Sequence, residues 1–180
     1  MRRSLVVTFT GLDRPGIVET LARVVADGDG NWEGSRMTRR AGYFAGVLHA
    51  SAPTLRADEL ARALEELSRD GLTVRVETGA DAQATGERER LWLEVTGAER
   101  GGIVRAVSGV LAAHGVNILE LVTAVVQAPI GGGELFRARL RIECPPEHTQ
   151  ETLIAALEEL GDDITIDLEA DEGGERGGRP

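Results

Sequence analysis

The chain contains no lysine. All 20 of its basic residues are arginine, set against 30 aspartates and glutamates for a net charge of −10. Proteins that grip nucleic acid release counterions through clustered basic side chains, so this balance argues against direct binding of DNA or RNA. Arginine without lysine, beside abundant alanine and glycine, fits a GC-rich genome. A single cysteine, Cys144, leaves no internal disulfide and no cysteine-based metal site. It falls at an expected strand end before Pro145-Pro146, where a small half-buried residue is ordinary. No apolar run approaches the length of a membrane span. Met1-Arg2-Arg3-Ser4 runs directly into a strand pattern without the apolar core of a signal peptide, and a cytoplasmic location is expected.

Catalytic constellations are equally scarce. His49, His114 and His148 are scattered rather than spaced as metal ligands. No serine or cysteine nucleophile has a recognisable base nearby in sequence. Ile130-Gly131-Gly132-Gly133 joins two strand patterns, so it reads as a hairpin turn and not as a phosphate loop. An RNA-binding sheet would present aromatics from its third strand. Here Phe136 belongs to the core alternation, and the outward residue of the first copy is His49. The chain is therefore expected to be no enzyme and to carry no cofactor or metal.

What the sequence does have is a repeat. Thr10-Gly-Leu-Asp-Arg-Pro-Gly-Ile-Val18 returns as Thr96-Gly-Ala-Glu-Arg-Gly-Gly-Ile-Val104, and the offset of 86 holds as far as Asn31 and Asn117. A period that long implies two copies of one small domain. Residues 1–78 and 91–170 are expected to be those domains, 79–90 a polar linker, and 171–180 a disordered Gly/Glu/Arg-rich tail. Domains of this size fold with thin margins, so a side-by-side packing of the two is expected.

Each copy reads as strand, helix, strand, strand, helix, strand. In the first, Leu5–Phe9 is a strand, Pro15 suits the first turn of a helix, and Ile17, Val18, Leu21, Val24 and Val25 form one helical face. Asp27-Gly28-Asp29-Gly30 stops that helix. Strands near Asn31 and over Phe44–Ala50 follow, separated by a turn at Arg40-Ala41-Gly42. A helix over Ala57–Ser68 turns Leu60, Ala61, Leu64 and Leu67 inward, and a strand over Leu72–Glu77 ends the copy. In the second, Leu91, Leu93 and Val95 alternate, and Ile103, Val104, Val107, Val110 and Leu111 form the helical stripe. Asn117 opens a strand, and Phe136–Ile142 alternates with Arg137, Arg139 and Arg141. Leu153, Ile154, Leu157 and Leu160 form the last helical face, and Ile164, Ile166 and Leu168 the last strand. This split βαβ order predicts an α+β protein of two ferredoxin-like (βαββαβ) domains, each a four-stranded sheet covered by helices on one face.

The uncovered faces differ. In the second copy Glu94 stands beside Arg137, Arg139 and Arg141, a solvated face with cross-strand pairing. In the first the outward set is Val6, Thr8, Ala45, Val47 and His49, either a partner-binding surface centred on Val6, Ala45 and Val47 or a small uncovered apolar patch.

The repeated turns are the candidate sites. Gly16 and Gly102 bring backbone without side chains to a helix entrance, and unpaired N–H groups there favour a carboxylate. Asp13 and Glu99 can offset an ammonium, and the amides of Asn31 and Asn117 can donate and accept. A zwitterion needs that mixture. The alternative is structural: the two acids cap their helices, the glycines make turns, and duplication copied both.

The run Asp13-Arg14-Pro15-Gly16-Ile17-Val18, followed by Gly30-Asn31, resembles the signature of the ACT domain, a ferredoxin-like amino-acid-sensing module. Gly115-Val116-Asn117-Ile118 is similar to the same junction in the second copy. The tandem arrangement, with Asn31–Met37 and Asn117–Thr123, more narrowly resembles the glycine cleavage system transcriptional repressor family. The resemblance implies edge-to-edge pairing of second strands, with ligand pockets at the seam where Asp13 would face Asn117 and Glu99 would face Asn31. On that pattern the ligand-binding set is Asp13, Arg14, Gly16, Ile17 and Asn31 with Glu99, Arg100, Gly102, Ile103 and Asn117. It also implies a regulatory protein in transcription or metabolism, a homodimer in one form, that senses a small amino acid such as glycine and acts on a partner protein, here a transcriptional activator. The second copy departs from the pattern in having Gly101 where proline is usual, and both copies carry an acid where an amide is common. An accessory subunit on a metabolic enzyme, with vestigial pockets, is the second expectation.

Overall fold

The computed structural model describes residues 1–79, 88–128, 133–147 and 149–171. Most of the expected linker, residues 130–132 of the expected hairpin turn, His148 and the tail from residue 172 lie outside the described residues. The chain forms two compact units, each with its own core.

In the first unit the elements are β1 (Arg2–Leu12), α1 (Ile17–Asp27), β2 (Asn31–Arg40), β3 (Tyr43–Pro53), α2 (Ala57–Glu66) with a 3-10 turn over Leu67–Asp70, and β4 (Leu72–Thr78). Its antiparallel sheet runs β2-β3-β1-β4. Alternation on β1 sends Leu5, Val7 and Phe9 toward the helices, where they meet Ile17, Leu21 and Val25 of α1 and Leu60 and Leu64 of α2, all buried. The second unit repeats this with β5 (Glu89–Ala98), α3 (Ile103–Ala113), β6 (Asn117–Gln127), β7 (Glu134–Cys144), α4 (Gln150–Glu158) and β8 (Ile164–Ala170). Its sheet order is β6-β7-β5-β8. Leu91, Leu93 and Val95 pack on Ile103, Val107, Leu111, Leu153 and Leu157. These are two ferredoxin-like domains in tandem, as the pattern predicts.

Three details correct the sequence reading. Pro15 lies in the turn before the helix, because Gly16, with φ +92°, is the N-cap and α1 starts only at Ile17. Val18 and Val104 are 44% and 45% exposed; the buried stripe is narrower than predicted and falls at every fourth residue, on Ile17, Leu21 and Val25 and on Ile103, Val107 and Leu111. The expected helix to Ser68 ends as α-helix at Glu66 and tightens into 3-10 form. One irregularity recurs: β2 bulges between Trp32 and Gly34, and β6 between Ile118 and Glu120. The extra residues, Glu33 and Leu119, stand at the same repeat position.

Among the described residues no helix is long and apolar enough to cross a membrane.

The candidate ligand-binding turns

Both turns are built alike. β1 and β5 end at a hairpin, and the backbone N–H of the acid donates to it: Asp13 to the Gly42 carbonyl and Glu99 to the Glu134 carbonyl, each at 2.9 Å. The chain then reverses through a left-handed glycine, Gly16 (φ +92°) or Gly102 (φ +96°), into α1 or α3. A Cβ at either glycine would meet nothing within 4 Å. The glycine is thus required by backbone conformation, and the space before the helix is open.

Neither helix has a side-chain N-cap, so Asp13 and Glu99 do not cap. Asp13 instead pairs with Arg39 of β2, Nε to Oδ2 at 2.7 Å. Arg14 and Arg100 turn away from the helix entrance. Arg14 Nη2 donates to the Asp70 carbonyl at 3.0 Å. Arg100 pairs with Asp163 and donates to the Leu160 carbonyl at 3.3 Å. Each arginine therefore clips its turn to the loop that enters the last strand of its own domain. The hydrogen bond from Arg100, more than its charge, holds the Asp163 carboxyl below its ordinary range. Ile17 and Ile103 are core residues at 3% and 4% exposure, and what they can offer a ligand is backbone N–H.

The asparagines lie elsewhere. Asn31 opens β2 opposite Ser51, which faces Ser4, whereas Asp13 follows Leu12 at the far end of β1. Asn117 faces Glu143 and through it Arg90, whereas Glu99 follows Ala98. From Ser4 to Leu12, or from Arg90 to Ala98, the strand runs roughly 26 Å. No single domain brings its acid and its asparagine together. Around Asn31 the structure gathers a different network: Arg2 Nε donates to Ser51 Oγ at 2.9 Å, and Ser51 Oγ to Glu33 Oε1 at 2.6 Å.

The open faces differ as expected. On the second domain Arg139 pairs with Glu94 at 3.3 Å and lies 4.3 Å over the Trp92 ring. Arg141 donates to Asp171 at 2.6 Å. On the first, Val47 is 46% exposed while Val6 and Ala45 are half-buried. His49 Nε2 and Ser4 Oγ share a hydrogen bond at 2.7 Å. Among the described residues no group of three or more His, Cys, Asp or Glu side chains is placed to hold a metal ion.

Arg39 is the residue that sequence reasoning missed. It stands 26 positions from Asp13, and only the β2–β3 register returns it to the turn. Its repeat counterpart, Val125, is apolar, so the repeat carried no signal for it.

A family model of the ACT domain matches residues 3–78. The crystal structure of an unknown protein from Galdieria sulphuraria is 32% identical, with 95% of this chain and 99% of that one covered and a TM-score of 0.78. The same coverage, at 15% identity and a TM-score of 0.66, relates the fold to a protein provisionally named a glycine cleavage system transcriptional repressor. No curated protein matches the chain.

Proposed function

The chain belongs to the ACT-domain family, with two such domains in tandem, and from that premise we propose that it is a non-catalytic regulator that senses a small amino acid and modulates a partner protein. The observation that carries this reading is the turn built twice: an acid, a left-handed glycine and a helix entrance with open space before it. The entrance suits a carboxylate and the acid suits an ammonium. Because acid and asparagine stand at opposite ends of each sheet, neither asparagine reaches the acid of its own domain. Glycine or a similarly small amino acid is the ligand that the narrower resemblance suggests, and a transcriptional activator the partner. The acidic composition fits a protein partner better than a nucleic acid.

A thermal-shift screen against the twenty amino acids tests it, because a ligand that binds only the folded state raises the melting temperature. A response confined to one or two of the amino acids establishes a sensor. A flat screen overturns the reading.

The open face of the first domain favours a second role. Val47 is exposed there, and the ion pair of that face, Arg75–Glu77, lies along β4 beside Val6 and Thr8 and leaves Val47 uncovered, so the face suits docking on a protein, a metabolic enzyme among the options. That role predicts co-purification with the enzyme, weakened by Val47→Asp.

A further inference from the structure

We propose that the open face of the first domain is a docking site for an acidic amphipathic helix of a partner protein, held along both flanks by arginine. This rests on the docking role above and names the chemistry of the partner.

Strand register lays the face out in rows. One row crosses it as Arg36, Val47, Thr8 and Arg75, on β2, β3, β1 and β4 in turn, and another, at the hairpin end, as Arg40, Tyr43 and Leu12. The middle is apolar and accessible, with Val47, Tyr43 and Leu12 46%, 52% and 65% exposed. Arg36 and Arg40 run along one side of it, and Arg75 stands on the other. Among the described residues neither Arg36 nor Arg40 has an ion pair, and both are exposed. Arg75 holds Glu77 at 2.8 Å, an exposed pair of the kind that contributes little and exchanges partners readily.

Free guanidiniums stand out on a chain of net charge −10. The second domain treats the same face differently. There Arg139, Arg141 and Arg90 pair with Glu94, Asp171 and Glu143, and the repeat counterparts of Arg36 and Arg40 are Val122 and Val126. The first face is therefore cationic at its rim without acids of its own to match, and a complementary surface brings carboxylates around an apolar centre. The spacing fits a helix. Arg36 and Arg75 are three strand spacings apart, roughly 14 Å, and a helix about 10 Å across fits between them. It would rest apolar side chains on Val47 and bring a carboxylate to each guanidinium. Along the strand, Val6 to Leu12 spans roughly 20 Å, the length of about 14 helical residues. The net charge disfavours RNA as the occupant.

The experiment measures the fluorescence anisotropy of a labelled amphipathic peptide of about 14 residues, with leucine on one face and glutamate on its flanks, against the full-length protein. Companion peptides carry glutamine or lysine in place of glutamate, and a short single-stranded RNA completes the set. The glutamate peptide is expected to bind, and less tightly as salt is raised. Reversing the rim charges together, Arg36→Glu with Arg40→Glu, should weaken it at least about tenfold and should let the lysine peptide bind instead. Both arginines are exposed and unpaired, so the double variant should melt near the wild-type temperature. A glutamine peptide that binds as tightly as the glutamate one, and is lost in Val47→Asp, overturns the acidic partner and leaves the docking role intact. RNA that displaces the glutamate peptide also overturns it. If none of the peptides binds, the docking role falls as well.

Discussion

Arg100 holds Asp163 across 63 residues of sequence, tying the turn before α3 to the loop that enters β8. Arg14 does the corresponding work in the first domain through a carbonyl, that of Asp70. The difference in acceptor has a pH signature. The Asp163 carboxyl is held low in the folded state, first by its hydrogen bond from Arg100. Its stabilisation is thus present above the unfolded value of about 3.9 and is lost as pH falls through the lower folded value. Melting curves of wild type and Arg100→Ala should differ at neutral pH and draw together in acid. The gap for Arg14→Ala should not change with pH. A constant gap for Arg100→Ala would show that its bond to the Leu160 carbonyl matters more than the ion pair.

Gly16 and Gly102 sit at φ +92° and +96° with nothing near a would-be Cβ. The cost of alanine there is conformational alone, about 1–2 kcal/mol for a left-handed L-residue. Urea unfolding of Gly16→Ala and Gly102→Ala should show losses of that size. By contrast, alanine at Gly30 would drive its Cβ to 2.7 Å from the Val25 carbonyl, and Gly30→Ala should lose more than either.

The Trp92 ring lies under Arg139 at 4.3 Å. Replacing Arg139 with alanine removes this contact and the pair with Glu94, and should cost ~0.5–1 kcal/mol from the cation–π contact. Fluorescence in a Trp32→Phe background should shift with it. An unchanged spectrum would mean that Arg139 does not rest on the ring in solution.

Burial pushes the Cys144 thiol up, and the nearby charge of Glu89 adds to it. The native protein should therefore react slowly with a thiol reagent, and denatured protein fast. Since the folded value is raised, the associated stability is present below the unfolded value of about 8.5 and is lost as pH climbs through the folded one. Removing the thiol in Cys144→Ser should flatten this alkaline decline. A decline of equal size in the variant would assign it to other groups.

The domain fold was legible because the chain prints its pattern twice, and alternation such as Leu91, Leu93, Val95 needs no distant partner to be read. The site was legible only in its local half. That a glycine opens each helix follows from Pro15-Gly16-Ile17 and Gly101-Gly102-Ile103. Where Asn31 lies relative to Asp13 depends on strand register, and the two proved to be at opposite ends of one sheet. That a carbonyl holds Arg14 and a carboxylate Arg100 was not legible, because those partners stand 56 and 63 residues away. Val18 and Val104 are apolar and so read as part of the buried face, yet the helix rotates them to its flank, 44% and 45% exposed.

The bulge shared by β2 and β6 carries a date. Two separate insertions would each have had to strike the same position of an edge strand, Glu33 in one copy and Leu119 in the other. A single event before the duplication accounts for both. On that reading the domain carried the extra residue before it was copied, and a relative built on one such domain should bulge at the same place.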